Sequence, residues 1–137
     1  MSAYDPYAMK PTLKPGKVTA IAVMALVDGV LNIVWSLSLI VGVLILGVST
    51  FGLGCLLLPL AVYPLVLGIL EIVYAAKLLP NEPRAVKPAT WLAIMQICNI
   101  IVGDPVSLAV GIVSLVLFND AEVRAYFAAL NSGSNQV

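Results

Sequence analysis

VTAIAVMALVDGVLNIVWSLSLIVGVLIL, residues 18–46, is apolar over most of its length and contains no proline. At ~1.5 Å per residue, a helix this long exceeds the ~30 Å hydrocarbon core of a bilayer, so it must tilt or protrude. Composition says the same of the whole chain. Of its 137 residues 61% are hydrophobic and 10% charged, and the mean hydropathy is +1.06. Soluble domains usually carry about 25% charged residues. A small soluble fold also leaves too much of itself in water to hide this much apolar surface. The chain is therefore read as an all-α integral membrane protein.

After this first run, a glycine-rich stretch at 47–58 leads to a second span at 59–79, opened by Pro59 in the first helical turn. Pro64 lies inside it and is a candidate kink. The polar loop PNEPRAVKP, residues 80–88, is the clearest connector outside the membrane. A third run covers 89–102. It stops at GDP, where Asp104 followed by Pro105 reads as an N-cap and the start of a fourth helix, 105–119. The third and fourth runs are short for a full crossing. Either they extend into the flanks, or their turn lies beneath the outer surface with the 47–58 loop folded over it; a re-entrant hairpin is the alternative. Beyond 119, Val123, Tyr126, Phe127 and Leu130 keep an i, i+3, i+4, i+7 apolar face, expected as an interfacial extension of the fourth helix. Residues 1–17 are expected as a retained, disordered tail in which Tyr4 and Tyr7 are candidates for a docking motif, and residues 120–137 as an amphipathic or disordered tail.

Charge placement tests this layout independently. Lys10, Lys14, Lys17, Lys77, Arg84, Lys87 and Arg124 are the basic residues, and four spans put every one of them on one side. The positive-inside rule makes that side cytoplasmic. The expectation is a four-transmembrane-helix bundle in the plasma (inner) membrane, multi-pass, with cytoplasmic N- and C-termini. Lys77 and Trp91 read as interfacial anchors. A faint internal echo, AVMALVD (22–28) with AIMQICN (93–99) and GILEIV (68–73) with GIVSLV (111–116), makes a parallel repeat of helix pairs a candidate arrangement.

Each run gathers its small and polar residues on one face. Asp28, Asn32 and Ser36 recur every fourth residue. Pro64, Gly68, Glu71 and Ala75 align on the second run, and Gln96, Asn99 and Gly103 on the third. Ser107, Gly111 and Ser114 follow on the fourth. Lipid has no use for such faces, so they turn inward. Counted from the flanking polar residues, Asp28, Glu71 and Gln96 reach similar depth. The expected site is an intramembrane polar layer of Asp28, Asn32, Glu71, Gln96, Asn99 and Ser114, with Gly68, Ser107 and Gly111 as helix-packing positions. With no basic side chain at that depth, the two acids are expected to be protonated in part, or hydrogen-bonded to the neighbouring amides.

The inventory also excludes. No histidine is present, which removes His-ligated haem, ordinary zinc sites and Ser-His or Cys-His dyads. No phosphate-binding loop appears. Balanced charge, seven basic and seven acidic residues, offers no field for nucleic acid. Cys55 and Cys98 sit in apolar runs and read as small buried hydrophobes. No enzyme, cofactor or metal is expected. The leading expectation is a non-enzymatic accessory subunit, scaffold or assembly factor whose polar layer fixes helix register, with the bilayer and a membrane-protein partner or a second copy as its contacts. The alternative is a small proton- or cation-coupled transporter or channel using Asp28 and Glu71.

Overall fold

The computed structural model describes residues 13–80 and 86–132, and every element among them is helical. Tyr4, Tyr7, Lys10 and Arg84 lie outside the described residues. Helix α1 runs Gly16–Ser49, 34 residues or ~51 Å. A 3-10 turn, Leu53–Leu57, leads into α2, Leu58–Leu78. Helix α3, Thr90–Cys98, ends in a second 3-10 turn, Asn99–Val102. Helix α4 is Pro105–Asn119 and α5 is Ala121–Ser132. Two segments, Gly16–Ser49 and Leu53–Leu78, are long and apolar enough to cross a membrane; α4 and α5 make a third if their bent pair is one span.

The surface is inverted relative to a water-soluble fold. Val23, Val27, Val30, Leu31 and Val34 of α1 and Ile69 of α2 are exposed, while Asp28, Asn32 and Glu71 are buried. Exposed large apolar side chains on this scale mark a surface that meets lipid. The same inversion corrects the reading of the cysteines. Cys55 and Cys98 are both exposed, because an apolar run here points its apolar side chains outward as well as inward.

Helix α1 packs on α2, α3 on α4, and the pairs meet through α1–α4 and α2–α3 contacts. The α1–α2 contact is close because of glycine. A Cβ on Gly68 would stand 2.5 Å from the Gly29 carbonyl oxygen, and one on Gly111 would stand 2.7 Å from that of Ala93. Both pairs use the same pattern, since Gly68 also meets Asn32 Cβ and Ile33 Cγ1, and Gly111 meets Gln96 Cβ and Ile97 Cγ1, so the two pairs pack alike as the repeat expects. The echo's register on the first helix is corrected: Gly29, not Ala22, is the packing counterpart of Ala93.

Pro64 sits inside α2, where it cannot donate to the Leu60 carbonyl. Ser36 Oγ on α1 donates to the Ala61 carbonyl in the same turn at 2.6 Å, the kind of neighbouring hydroxyl that makes proline tolerable in a membrane helix. The 47–58 segment packs on α1 and α2. Gly54 closes against the backbone of Leu46 and Gly47, and its N–H is bound by Thr50 Oγ1 at 2.8 Å. The loop thus folds onto the end of α1 rather than as a cover over the Gly103 turn. Trp35 Nε1 donates to the Val102 carbonyl at 3.4 Å, which sets that turn beside the middle of α1.

Described basic residues gather at the opposite end. Lys14 Nζ donates to the Leu78 and Leu79 carbonyls, satisfying the open C-terminus of α2. Lys17 pairs with Asp120 at 2.7 Å and Glu122 at 3.3 Å, and the hydrogen bond from Lys17 holds the Asp120 carboxyl below the ordinary carboxylate range. Lys14 and Lys17, within the stretch expected as a tail, are accordingly tied to the fold.

Helix α5 differs most from expectation. It turns 72° from α4 instead of continuing it. Asp120 is extended (ψ 137°) and accepts the Glu122 N–H at 3.0 Å, an N-cap that starts a new helix. Phase explains the break. The inward face of α4 is Ser107, Gly111, Ser114 and Phe118, whereas the apolar face of the tail begins at Val123, out of step with it. Val123, Tyr126 and Phe127 are buried against the core rather than turned to lipid. Phe118 lies between Tyr74 (ring centroids 6.5 Å apart) and Phe127 (6.1 Å).

Opposite outcomes are expected from two neighbours in α5. Phe127→Ala should cost about 3 kcal/mol by emptying a packed aromatic site. Tyr126→Phe should be neutral or stabilising by up to ~1 kcal/mol, because the buried Tyr126 hydroxyl has no hydrogen-bond partner among the described residues. Unfolding curves in mixed micelles read both, and a costly Tyr126→Phe would mean that its hydroxyl is satisfied.

Candidate functional site

Buried polar residues converge where α1, α2, the end of α3 and the start of α4 meet. Asp28, Asn32, Glu71, Gln96, Asn99, Asp104 and Ser107 are at most 7% exposed. Helical spacing brings them there: Asp28 and Asn32 are one turn apart on α1, and Glu71 follows Gly68, the close approach to Gly29, by one turn on α2. Gly103, at φ 82°, takes the left-handed conformation that ends the 3-10 turn and lets the chain reverse into α4.

Asn32 is the central connector. Its Nδ2 donates to Glu71 Oε2 at 3.0 Å and to Ser107 Oγ at 3.0 Å, and its Oδ1 accepts from Asn99 Nδ2 at 2.7 Å. One side chain therefore joins all the other chain segments of the cluster except Gln96. Gln96 Nε2 donates to Asp28 Oδ2 at 3.1 Å. Asn99 Nδ2 also lies 3.1 Å from Asp104 Oδ2 and 3.2 Å from Ser107 Oγ. The carboxyls of Asp28 and Glu71 are joined through Asn32 and Ser107: Asn32 Nδ2 reaches both Glu71 Oε2 and Ser107 Oγ, and Ser107 Oγ lies 3.0 Å from Asp28 Oδ1.

Ser107 and Asp104 do more than the spacing indicated. Ser107, expected as a packing residue, places its Oγ 3.0 Å from Asp28 Oδ1 and 3.0 Å from Asp104 Oδ2, and its single hydroxyl hydrogen can serve one at a time. Asp104 caps α4 as expected, with Oδ1 accepting from Val106 N at 3.0 Å and Ser107 N at 3.2 Å. Its other oxygen belongs to the cluster, a role not assigned to it from sequence. The available signal was Asp104 three residues before Ser107, the two bracketing the first turn of α4.

Ser114 is the exception among the expected layer. It is buried but makes none of the cluster's hydrogen bonds; instead it lines a cavity of about 10 Å³ with Tyr74, Gln96 and Phe118. The distance follows from the helix, since two turns separate Ser107 from Ser114. In the echo Ser114 is the counterpart of Glu71, which lies inside the cluster, so the like packing of the two pairs does not give these two positions the same partners. Gly68 and Gly111 occupy close helix contacts.

Chemically, the cluster supplies carboxyl and amide oxygens, amide donors and one relay hydroxyl. Among the described residues, no group of three or more His, Cys, Asp or Glu side chains is placed to hold a metal ion. Comparison of the chain with protein-family models, curated proteins and solved structures gives no match.

Proposed function

We propose that this is a four-span protein of the plasma (inner) membrane, with both termini cytoplasmic, that works without catalysis as an accessory subunit, scaffold or assembly factor. One observation carries the reading: the polar side chains of the cluster hydrogen-bond one another, across four chain segments, behind an apolar exterior. Bonds of this kind between membrane helices average only ~0.6 kcal/mol, and their use is to choose one register among many. A protein built this way presents a fixed lipid-facing shape, which is what a neighbouring membrane subunit needs. Support for the orientation comes from Lys14, Lys17, Lys77, Lys87 and Arg124. Contacts of Lys14 with the end of α2 and of Lys17 with the start of α5 bring the helix ends that carry them together.

Native purification in mild detergent is expected to bring a stoichiometric membrane-protein partner, and Asp28→Leu to reduce its recovery along with thermal stability. A homogeneous chain without a partner, at native expression level, would overturn the assignment.

A further inference from the structure

Two buried oxygens of the cluster, Glu71 Oε1 and Asn99 Oδ1, have no hydrogen-bond partner among the described residues, on side chains that are 0% exposed. The donors around Glu71 Oε1 bond other oxygens of the cluster. Asn32 Nδ2 serves Glu71 Oε2 and Ser107, Gln96 Nε2 serves Asp28, and the one Ser107 proton faces Asp28 or Asp104. Two ionised carboxylates have lone pairs but no donor, so burying both in one cluster is favourable only when one carries a proton.

Nothing else near the pair neutralises it. The titratable groups that face it are Tyr63 of α2 and Asp104 at the turn, and neither is a base. Helix α1 adds none beyond Asp28, and α4 presents only serines; the nearest α1 cation, Lys17, is three turns away along the helix. A metal ion would need lone pairs where the amide N–H groups of Asn32 and Gln96 point.

We propose that Asp28 and Glu71 form a proton-binding site that takes one exchangeable proton, held on Glu71 Oε1. The proton leaves a hydronium ion, releasing water, and forms the Glu71 O–H bond, so the charge of the pair falls from two to one. A cavity of about 10 Å³, near the size needed for one water, lies beside Gln96, Ser114 and Phe118, and Gln96 is bonded to Asp28. The site rests on the register role proposed above and adds its regulation: the register closes fully only when the proton is bound.

Infrared spectroscopy of the full chain in lipid nanodiscs tests this directly. At about pH 7, where free carboxyls are ionised, wild type should show a protonated-carboxyl C=O band that shifts on exchange into D₂O. The band should be lost in Glu71→Gln and be indifferent to replacing sodium by choline. Three results overturn the site: no band in wild type, a band that survives in the Asp28→Asn/Glu71→Gln double variant, or a band displaced by sodium at constant pH, which would make it a cation site. If the variants do not fold, the wild-type band and its loss only in alkali still decide. Loss of stability in Asn32→Leu without any wild-type band would remove the proton and leave the register role. A band together with an unaffected Asn32→Leu would remove the register role, and with it the regulation drawn here.

Discussion

Asn32→Leu is expected to destabilise the protein by about 2–4 kcal/mol, read as an earlier midpoint when detergent-solubilised protein is unfolded by added SDS. Three interhelical bonds disappear at once: to Glu71, to Ser107 and from Asn99. At the average for bonds between membrane helices they contribute ~2 kcal/mol together. More damaging is the state in which Glu71 is left. Glu71 Oε1 has no donor already, so losing Asn32 strips Oε2 as well and leaves a fully buried carboxyl without an amide. An orphaned buried polar group costs about 1–3 kcal/mol. Leucine recovers little, because lipid tails solvate it equally well in separated helices. Ser38→Ala is the matching control on the same helix. Its hydroxyl bonds only its own backbone, to Val34 at 3.1 Å on an exposed face, so a change within about 0.5 kcal/mol is expected. Equal midpoints for the two variants would show that the cluster does not hold the helices together.

Gly68→Leu is the second large effect, about 3 kcal/mol in the same assay. A Cβ there would meet the Gly29 carbonyl oxygen at 2.5 Å, Asn32 Cβ at 3.0 Å and Ile33 Cγ1 at 3.1 Å. The first of these is backbone and cannot turn aside, so α1 and α2 must separate. Overpacking usually costs about 1–3 kcal/mol. Separation also stretches the Asn32–Glu71 bond one turn away, which takes the loss to the top of that range despite the ~0.8 kcal/mol gained in helix propensity. Gly42→Ala should have the opposite sign. Gly42 is also within α1, but nothing lies within 4 Å of an added Cβ, so only the propensity gain of about 0.5–1 kcal/mol remains. If both glycine substitutions stabilise, the close contact at Gly29 does not exist in the bilayer.

These two residues also show how far the chain could be read directly. Gly68 was legible as a packing position because small residues recur at helical spacing, and Asn32 because a polar side chain in an apolar run must turn away from lipid. What spacing cannot supply is the direction of each hydrogen bond. Ser107 looked like one small residue in a series, and its position between Asp28 and Asp104 arises only where α1 meets the α4 N-terminus. Ser114, in the same series, falls two turns from that junction and is left out.

Local chemistry was enough for the helical elements, their limits near Pro59, Gly103 and Pro105, the apolar exterior and the inward polar faces. Backbone groups must be satisfied within the helix where water is absent, and proline, glycine and capping aspartate set the ends. Which polar groups pair, and that the α3–α4 turn stops beside Trp35, emerged only from the packed helices. So did the path of α5, which folds back on Phe118 instead of continuing α4. The physical reason is common to all three. Periodicity fixes the angle of a side chain about its own helix, but the depth and approach of one helix against another depend on contacts between residues distant in the chain.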